Sequence, residues 1–229
     1  MCFSAGASFG SGAILSLIGV ATIRKMNHPN QLPLATFPFI FSFQQFFEGF
    51  VWLSLTNPSY FAWQNLFVYA FLTFSHIVWP FWIPLSILLL EKDLNRKRII
   101  WGLLGAGISL ALYHVYCLLF LTVNTRIDAH HIQYRIAHPT TLLMTANILY
   151  VLSTIFPFLI SRISRMWWLG VYIIISYLAA HILFKAYVIS VWCFFATILS
   201  VFIYMILCRF HKSALFKKQV KSAFGNMGW

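Results

Sequence analysis

The side chains of this chain that could do chemistry are one glutamate, several histidines and a pair of cysteines, almost all set in apolar surroundings. Glu48 lies in Phe43-Gln44-Gln45-Phe46-Phe47-Glu48-Gly49 and is the single acid within a long hydrophobic run. Gln44 and Glu48 are i, i+4 and share a helical face. Lipid cannot hydrogen-bond that face, so it is predicted to look inward. A charge kept in a bilayer costs about 2.5–3.5 kcal/mol and marks a functional position by default. Glu48 is therefore a candidate general base or titrating group, and the plain alternative is a paired glutamate that joins two helices. His76, His114 and His181 also fall in hydrophobic runs, with Gln45, Trp79, Ser190, Trp192 and Cys193 as further candidates for a polar pocket.

A second group lies between runs: Asp128, His130, His131, Tyr134 and His138. Imidazole is the commonest metal ligand, so His130, His131 and His138 are candidate ligands for a transition metal such as zinc. Their spacing is not that of a helical HExxH site. The alternative is a polar cap folded over the bundle. Cys2 adds one more option, because removal of Met1 would leave an N-terminal cysteine whose amine and thiol could chelate a metal or act as a nucleophile.

The elements that must position these groups follow from composition. Of 229 residues, 61% are hydrophobic and only 9% charged, against about 25% charged in a soluble domain. Apolar runs at 4–23, 34–55, 63–90, 99–121, 140–160, 167–184 and 187–208 predict an all-α polytopic bundle of about seven transmembrane spans. Pro80 and Pro84 predict a kink in the third. The last two runs are parted only near Lys185, so six spans with one long bent helix is the competing count. The start lacks a basic n-region and is not expected to be a cleaved signal peptide. Gly6 and Gly10 form GxxxG, expected to serve packing within the bundle.

Charge sets the orientation. Of the 16 lysines and arginines, all but Arg126, Arg135 and Lys185 fall on one side. That asymmetry predicts an outside N-terminus and a cytoplasmic C-terminus. The +12 net charge then belongs to topology and to anionic headgroups at the inner face, and no nucleic-acid partner is expected. The chain divides into a bundle, 1–208, and a tail, 209–229. In the tail Phe216, Val220 and Phe224 recur at i, i+4 and i+8, as in a basic amphipathic helix on the inner leaflet.

A rise of about 1.5 Å per residue puts Glu48 and His114 roughly 10 Å below the outer face, His181 roughly 5 Å below it and His76 deeper. Asn147, Ser190 and Cys193 fall at similar outer levels. A water-accessible cavity in the outer half would solvate all of them, with the histidine loop folded over Glu48 as part of one site.

Several segments together resemble an uncharacterised family of bacterial multi-span membrane proteins that begin Met-Cys-Phe-Ser-Ala. They are Met1–Ala5 with Ala7-Ser8-Phe9, Gln44-Gln45 with Glu48-Gly49 and Trp52, Trp79-Pro80, Tyr116-Cys117, His130-His131-Ile132 with Tyr134 and His138-Pro139, and Ser190 to Ala196. The resemblance implies a multi-pass protein of the bacterial inner (plasma) membrane and carries no established activity with it. Three readings of function follow. The first is a membrane-embedded, metal-dependent hydrolase acting on a lipid or other amphiphile, whose metal-bound water is the nucleophile. Its similarity to the alkaline ceramidase and adiponectin-receptor superfamily stops at topology. The second is a transporter or ligand-binding receptor with Glu48 as the titrating group. The third is a haem or redox protein with two intramembrane histidines as axial ligands.

Overall fold

A computed structural model of the chain describes residues 4–128, 131–183 and 188–225; the side chains of residues 140–141, 181, 183, 188–194 and 214–225 lie outside that description. The fold is an all-α bundle. Its helices are α1 (Ala5–Ile23), α2 (Leu32–Ala35), α3 (Phe37–Thr56), α4 (Gln64–Leu72), α5 (Trp79–Leu90), α6 (Leu94–Phe120), α7 (Thr140–Thr154), α8 (Phe156–Ile160), α9 (Met166–Leu183) and α10 (Val188–Gly225). Neighbouring contacts run from α1 to α3, α4–α5, α6, α7–α8, α9, α10 and back to α1, which closes a ring. Among the described residues five stretches are long and apolar enough to cross a membrane: Ala5–Ile23, Pro58–Leu90, Leu94–Phe120, Leu142–Ile160 and Phe195–Ser213. The remaining rods are α3, which carries Gln44, Gln45 and Glu48, and α9, whose apolar part is shorter. Leu17, Leu112, Leu119 and Met144 project outward, and an apolar exterior of this kind is matched to lipid.

The third run is more than kinked. Between α4 and α5, residues Thr73–Val78 wind as a π-helix, a geometry that is rare and concentrated at functional sites. Pro80 has no N–H to donate up the helix, and the Tyr150 hydroxyl from α7 donates to the Ser75 carbonyl at 2.8 Å. Gly107 of α6 crosses the start of α5 so closely that a Cβ there would collide with the Pro80 carbonyl oxygen. The expected inward role of Gly6 and Gly10 is corrected: both are exposed, with open space where a Cβ would be. Gly12 and Gly19 are the ones that take the Phe46 and Phe39 rings of α3.

The expected polar loop is a β-hairpin, β1 (Val123–Asp128) and β2 (His131–Ile136), paired antiparallel from Val123↔Ile136 to Asp128↔His131. Its alternation puts Ile127, Ile132, Tyr134 and Ile136 against Val51, Trp52, Val68, Phe71, Leu72 and Leu118, so it caps one end of the ring. At the opposite, basic end the Glu91 carboxylate is buried. It accepts hydrogen bonds from the backbone N–H groups of Lys92 (2.9 Å), Asp93 (3.2 Å) and Arg162 (2.9 Å) and from the Ser161 hydroxyl (3.1 Å). Arg162 also pairs with Asp93 at 3.3 Å, and Arg96 donates to the Ile160 carbonyl. The last helix has no break at residue 208 and runs to Gly225.

Candidate functional site

Inside the ring lies a cavity of about 540 Å³. Phe37, Phe41, Ile83, Leu143, Ala146, Val151, Ile173 and Leu199 make most of its wall, so it is mainly apolar. Polar groups enter from several elements. From α7 come Asn147, Tyr150 and Thr154, spaced i, i+3, i+7 on one face, and from α9 come Tyr172, Ser176 and Tyr177. Gln44 of α3 accepts from the Trp79 indole N–H at 3.0 Å, a buried pair that ties α3 to α5 across the cavity. Tyr134 and Ile136 of the hairpin close the capped end, with Tyr134 stacked on Phe71 at 4.7 Å between ring centres.

Three histidines from three elements meet at that end. His76 comes from the π segment, His114 from α6, and His138 from the stretch between β2 and α7. The His76 and His114 ring centres are 5.0 Å apart and those of His114 and His138 5.8 Å apart. All three line the cavity. Ser75 Oγ and His76 Nδ1 are hydrogen-bonded at 2.7 Å, which fixes that ring. The Nδ1 atoms of His114 and His138 are buried with no hydrogen-bond partner among the described residues. Tyr113 lies over His138, with ring centres 6.1 Å apart and planes 25° apart. Burial pushes the His138 imidazole below its ordinary pKa of 6.5.

Of the sequence candidates, Gln44, His76, Trp79, His114, Tyr134 and His138 are brought to this one cavity. Counting depth along straight α-helices separates His76 from His114 by a turn or more; in the structure, with His76 on the π segment, the ring centres are 5.0 Å apart. Their contact is edge-to-face, at 74° between planes. Of the expected set His130, His131 and His138, the structure describes the last two. His131 begins β2 and His138 lies past its end, and five residues of extended strand alone span about 17 Å. His131 is buried at the hairpin turn, and His130 lies outside the described residues. Among the described residues no group of three or more His, Cys, Asp and Glu side chains could hold a metal ion.

Glu48 is wholly buried, with Gln45 Nε2 donating to its Oε2 at 3.1 Å, and it does not line the cavity. The hairpin does fold over the end of α3, through Ile132 against Val51 and Trp52. It meets the cavity, however, through Tyr134, Arg135 and Ile136, not at Glu48. Cys2 lies outside the described residues, as do the side chains of His181, Ser190, Trp192 and Cys193. Sequence reading missed Ser75, Tyr113, Tyr150, Tyr172, Ser176 and Tyr177. The polar stripe Asn147-Tyr150-Thr154 was the signal available for α7.

No curated protein and no solved structure matches the chain. A protein-family model described as "Family of unknown function (DUF6629)" matches residues 1–218, nearly the whole length, and the chain belongs to that family.

Proposed function

We propose that this chain is a seven-span protein of the bacterial inner membrane that binds a small amphiphile in its central cavity. In this reading the hairpin end faces outward, and the basic end, with Arg24, Lys25, Lys92, Arg96 and Arg162, faces the cytoplasm and its anionic lipids. The ligand's tail lies among Phe37, Phe41, Ile83 and Leu199, and its polar head reaches the histidine end. One observation carries the proposal: a cavity of about 540 Å³ joins apolar walls to buried imidazole nitrogens that have no partner among the described residues. Mostly apolar pockets with a few convergent polar groups are the usual form of small-molecule sites, and buried polar atoms are seldom left unsatisfied without a reason.

The test is native mass spectrometry of protein extracted in mild detergent, followed by chromatographic identification of whatever is retained, beside an Ala146→Trp substitution. Ala146 lines the cavity and is 7% exposed, so an indole there would occupy cavity space. Retention of one amphiphile class by the wild type, lost in Ala146→Trp, is the expected result. A wild type that retains nothing, and that a panel of lipids and fatty amphiphiles stabilises no more than it stabilises Ala146→Trp, would refute it.

A further inference from the structure

We infer that the cavity opens sideways into the bilayer between α7 and α9, and that its ligand enters and leaves through this gap from the leaflet on the hairpin side. The inference rests on the binding reading and names the source of the same ligand: a single-chain lipid dissolved in the membrane, not a solute from water. A cavity of about 540 Å³ is in the size range of drug-like ligands and suits one chain. The first support is the packing of the ring. α7 packs on α5, α6 and α8, and α9 packs on α8 and α10; among the described residues no comparable packing joins α7 to α9. The short helix α8 bridges the two at the basic end, where the Leu159 side chain lies against Gly170 of α9.

The second support is the way the rows of α7 face. Ala146, Tyr150 and Thr154, spaced i, i+4, i+8, line the cavity. Met144, Ile148 and Leu152 repeat that spacing on another side of the helix and line a groove there. The row between them, Leu143, Asn147 and Val151, lines both. Residues four apart are neighbours on a helix surface, so a single line of side chains separates the cavity from the groove. Met144 and Ile148 are exposed, as are Ile175 and Leu178 of α9, and such apolar exteriors are matched to lipid. The cavity is thereby continuous with the layer in which a lipid's tail dissolves.

The third support is Asn147 itself. At 1.5 Å per residue it stands about 10 Å below the hairpin-side end of α7, inside a stretch apolar enough to cross a membrane. It is exposed, and its side chain makes no hydrogen bond among the described residues. An amide facing hydrocarbon without a partner is costly. A passage for an amphiphile needs one polar step for the head among apolar ones for the tail, and Asn147 supplies it at the sill.

The experiment uses full-length protein in lipid nanodiscs, with palmitic acid and palmitoyl-lysophosphatidylcholine, both carrying deuterated chains, as probes. Loaded protein is mixed with vesicles holding the unlabelled forms, cold enough that the wild type exchanges over minutes, and the retained label is followed by native mass spectrometry. I148W fills the groove from outside the cavity, and L143A widens the gap. L119W puts the same indole on the exposed face of α6, and A146W fills the cavity. Exchange is expected to slow about tenfold in I148W and to quicken about threefold in L143A, with equilibrium occupancy kept and L119W unchanged. I148W and L143A that both exchange within about twofold of L119W would overturn the portal, while a probe held by the wild type and excluded by A146W would leave the binding reading standing. A wild type that retains neither probe but holds some other molecule would overturn the bilayer source alone, and one that retains nothing would overturn both.

Discussion

The two ends of the bundle treat their buried polar groups in opposite ways. At the basic end, the Glu91 carboxylate takes four hydrogen bonds from the segments Lys92–Asp93 and Ser161–Arg162. Burial alone would raise its pKa, yet the N–H groups of Arg162, Asp93 and Lys92 and the Ser161 hydroxyl outweigh that and hold it below its ordinary 4.5. At the hairpin end, three imidazoles share a cavity and two of their nitrogens have no partner among the described residues. Burial by itself therefore does not distinguish a site from a structural joint. The distinction is whether the protein satisfies the buried group itself or leaves that to something else.

Removing Glu91 gives the largest expected effect. E91A leaves up to four donors without their acceptor, and each buried orphan costs about 1–3 kcal/mol. A loss of about 3 kcal/mol or more is expected by thermal unfolding in detergent. W79F is the next largest and sharpens the comparison. It lies at the cavity, but it strips a satisfied pair by removing the indole N–H from Gln44. A loss of about 1 kcal/mol is expected, which would show that the rule follows hydrogen-bond satisfaction and not location. H114F and H138F should cost less, about 1 kcal/mol or below, because an apolar ring of similar shape replaces a group with an unpaired buried Nδ1, although the His114 ring also gives up its contacts with the Leu110 and His76 backbone. If either costs as much as E91A, the contrast between the ends breaks.

Acid separates the ends more gently. The His138 pKa is depressed on folding, so the unfolded chain takes up protons more readily than the folded one as pH falls below 6.5, and stability declines from there. Glu91 is depressed from 4.5, so its contribution is present above that value and is lost only as pH falls further. A stability–pH curve should show the upper decline reduced, not abolished, in H138F, since His76 and His114 are buried too, while the lower one remains.

How much of this was legible in the sequence differs between fold and site. Helical spans are long local patterns set by lipid, and a run of apolar residues declares them. The hairpin was also legible in principle, since Val123, Thr125 and Ile127 face Ile136, Tyr134 and Ile132 with period two, but the polar residues between them resembled a loop. The π segment was not legible, because no residue in Thr73–Val78 demands an extra residue per turn. That segment carries His76, whose ring centre lies 5.0 Å from that of His114, where straight-helix depths set the two a turn or more apart. His138 was grouped with His130 and His131 by closeness along the chain, whereas an extended strand carries close neighbours far apart. Glu91 drew no attention because it ends a run beside Lys92 and Asp93, where a carboxylate is expected to be solvated; only the fold brings Ser161 and Arg162 to it.

The most direct measurement sets H114F beside E91A, recording for each the thermal midpoint in detergent and the small molecules retained in native mass spectrometry. At about 2–4 °C per kcal/mol for a domain of this size, E91A should unfold roughly 6–12 °C early, while its surviving folded fraction still carries the wild-type ligand. H114F should keep its midpoint within about 3 °C of wild type and lose the ligand. An H114F protein that unfolds as early as E91A, or keeps its full complement of bound molecule, would make the histidine end a packing feature and contradict the site.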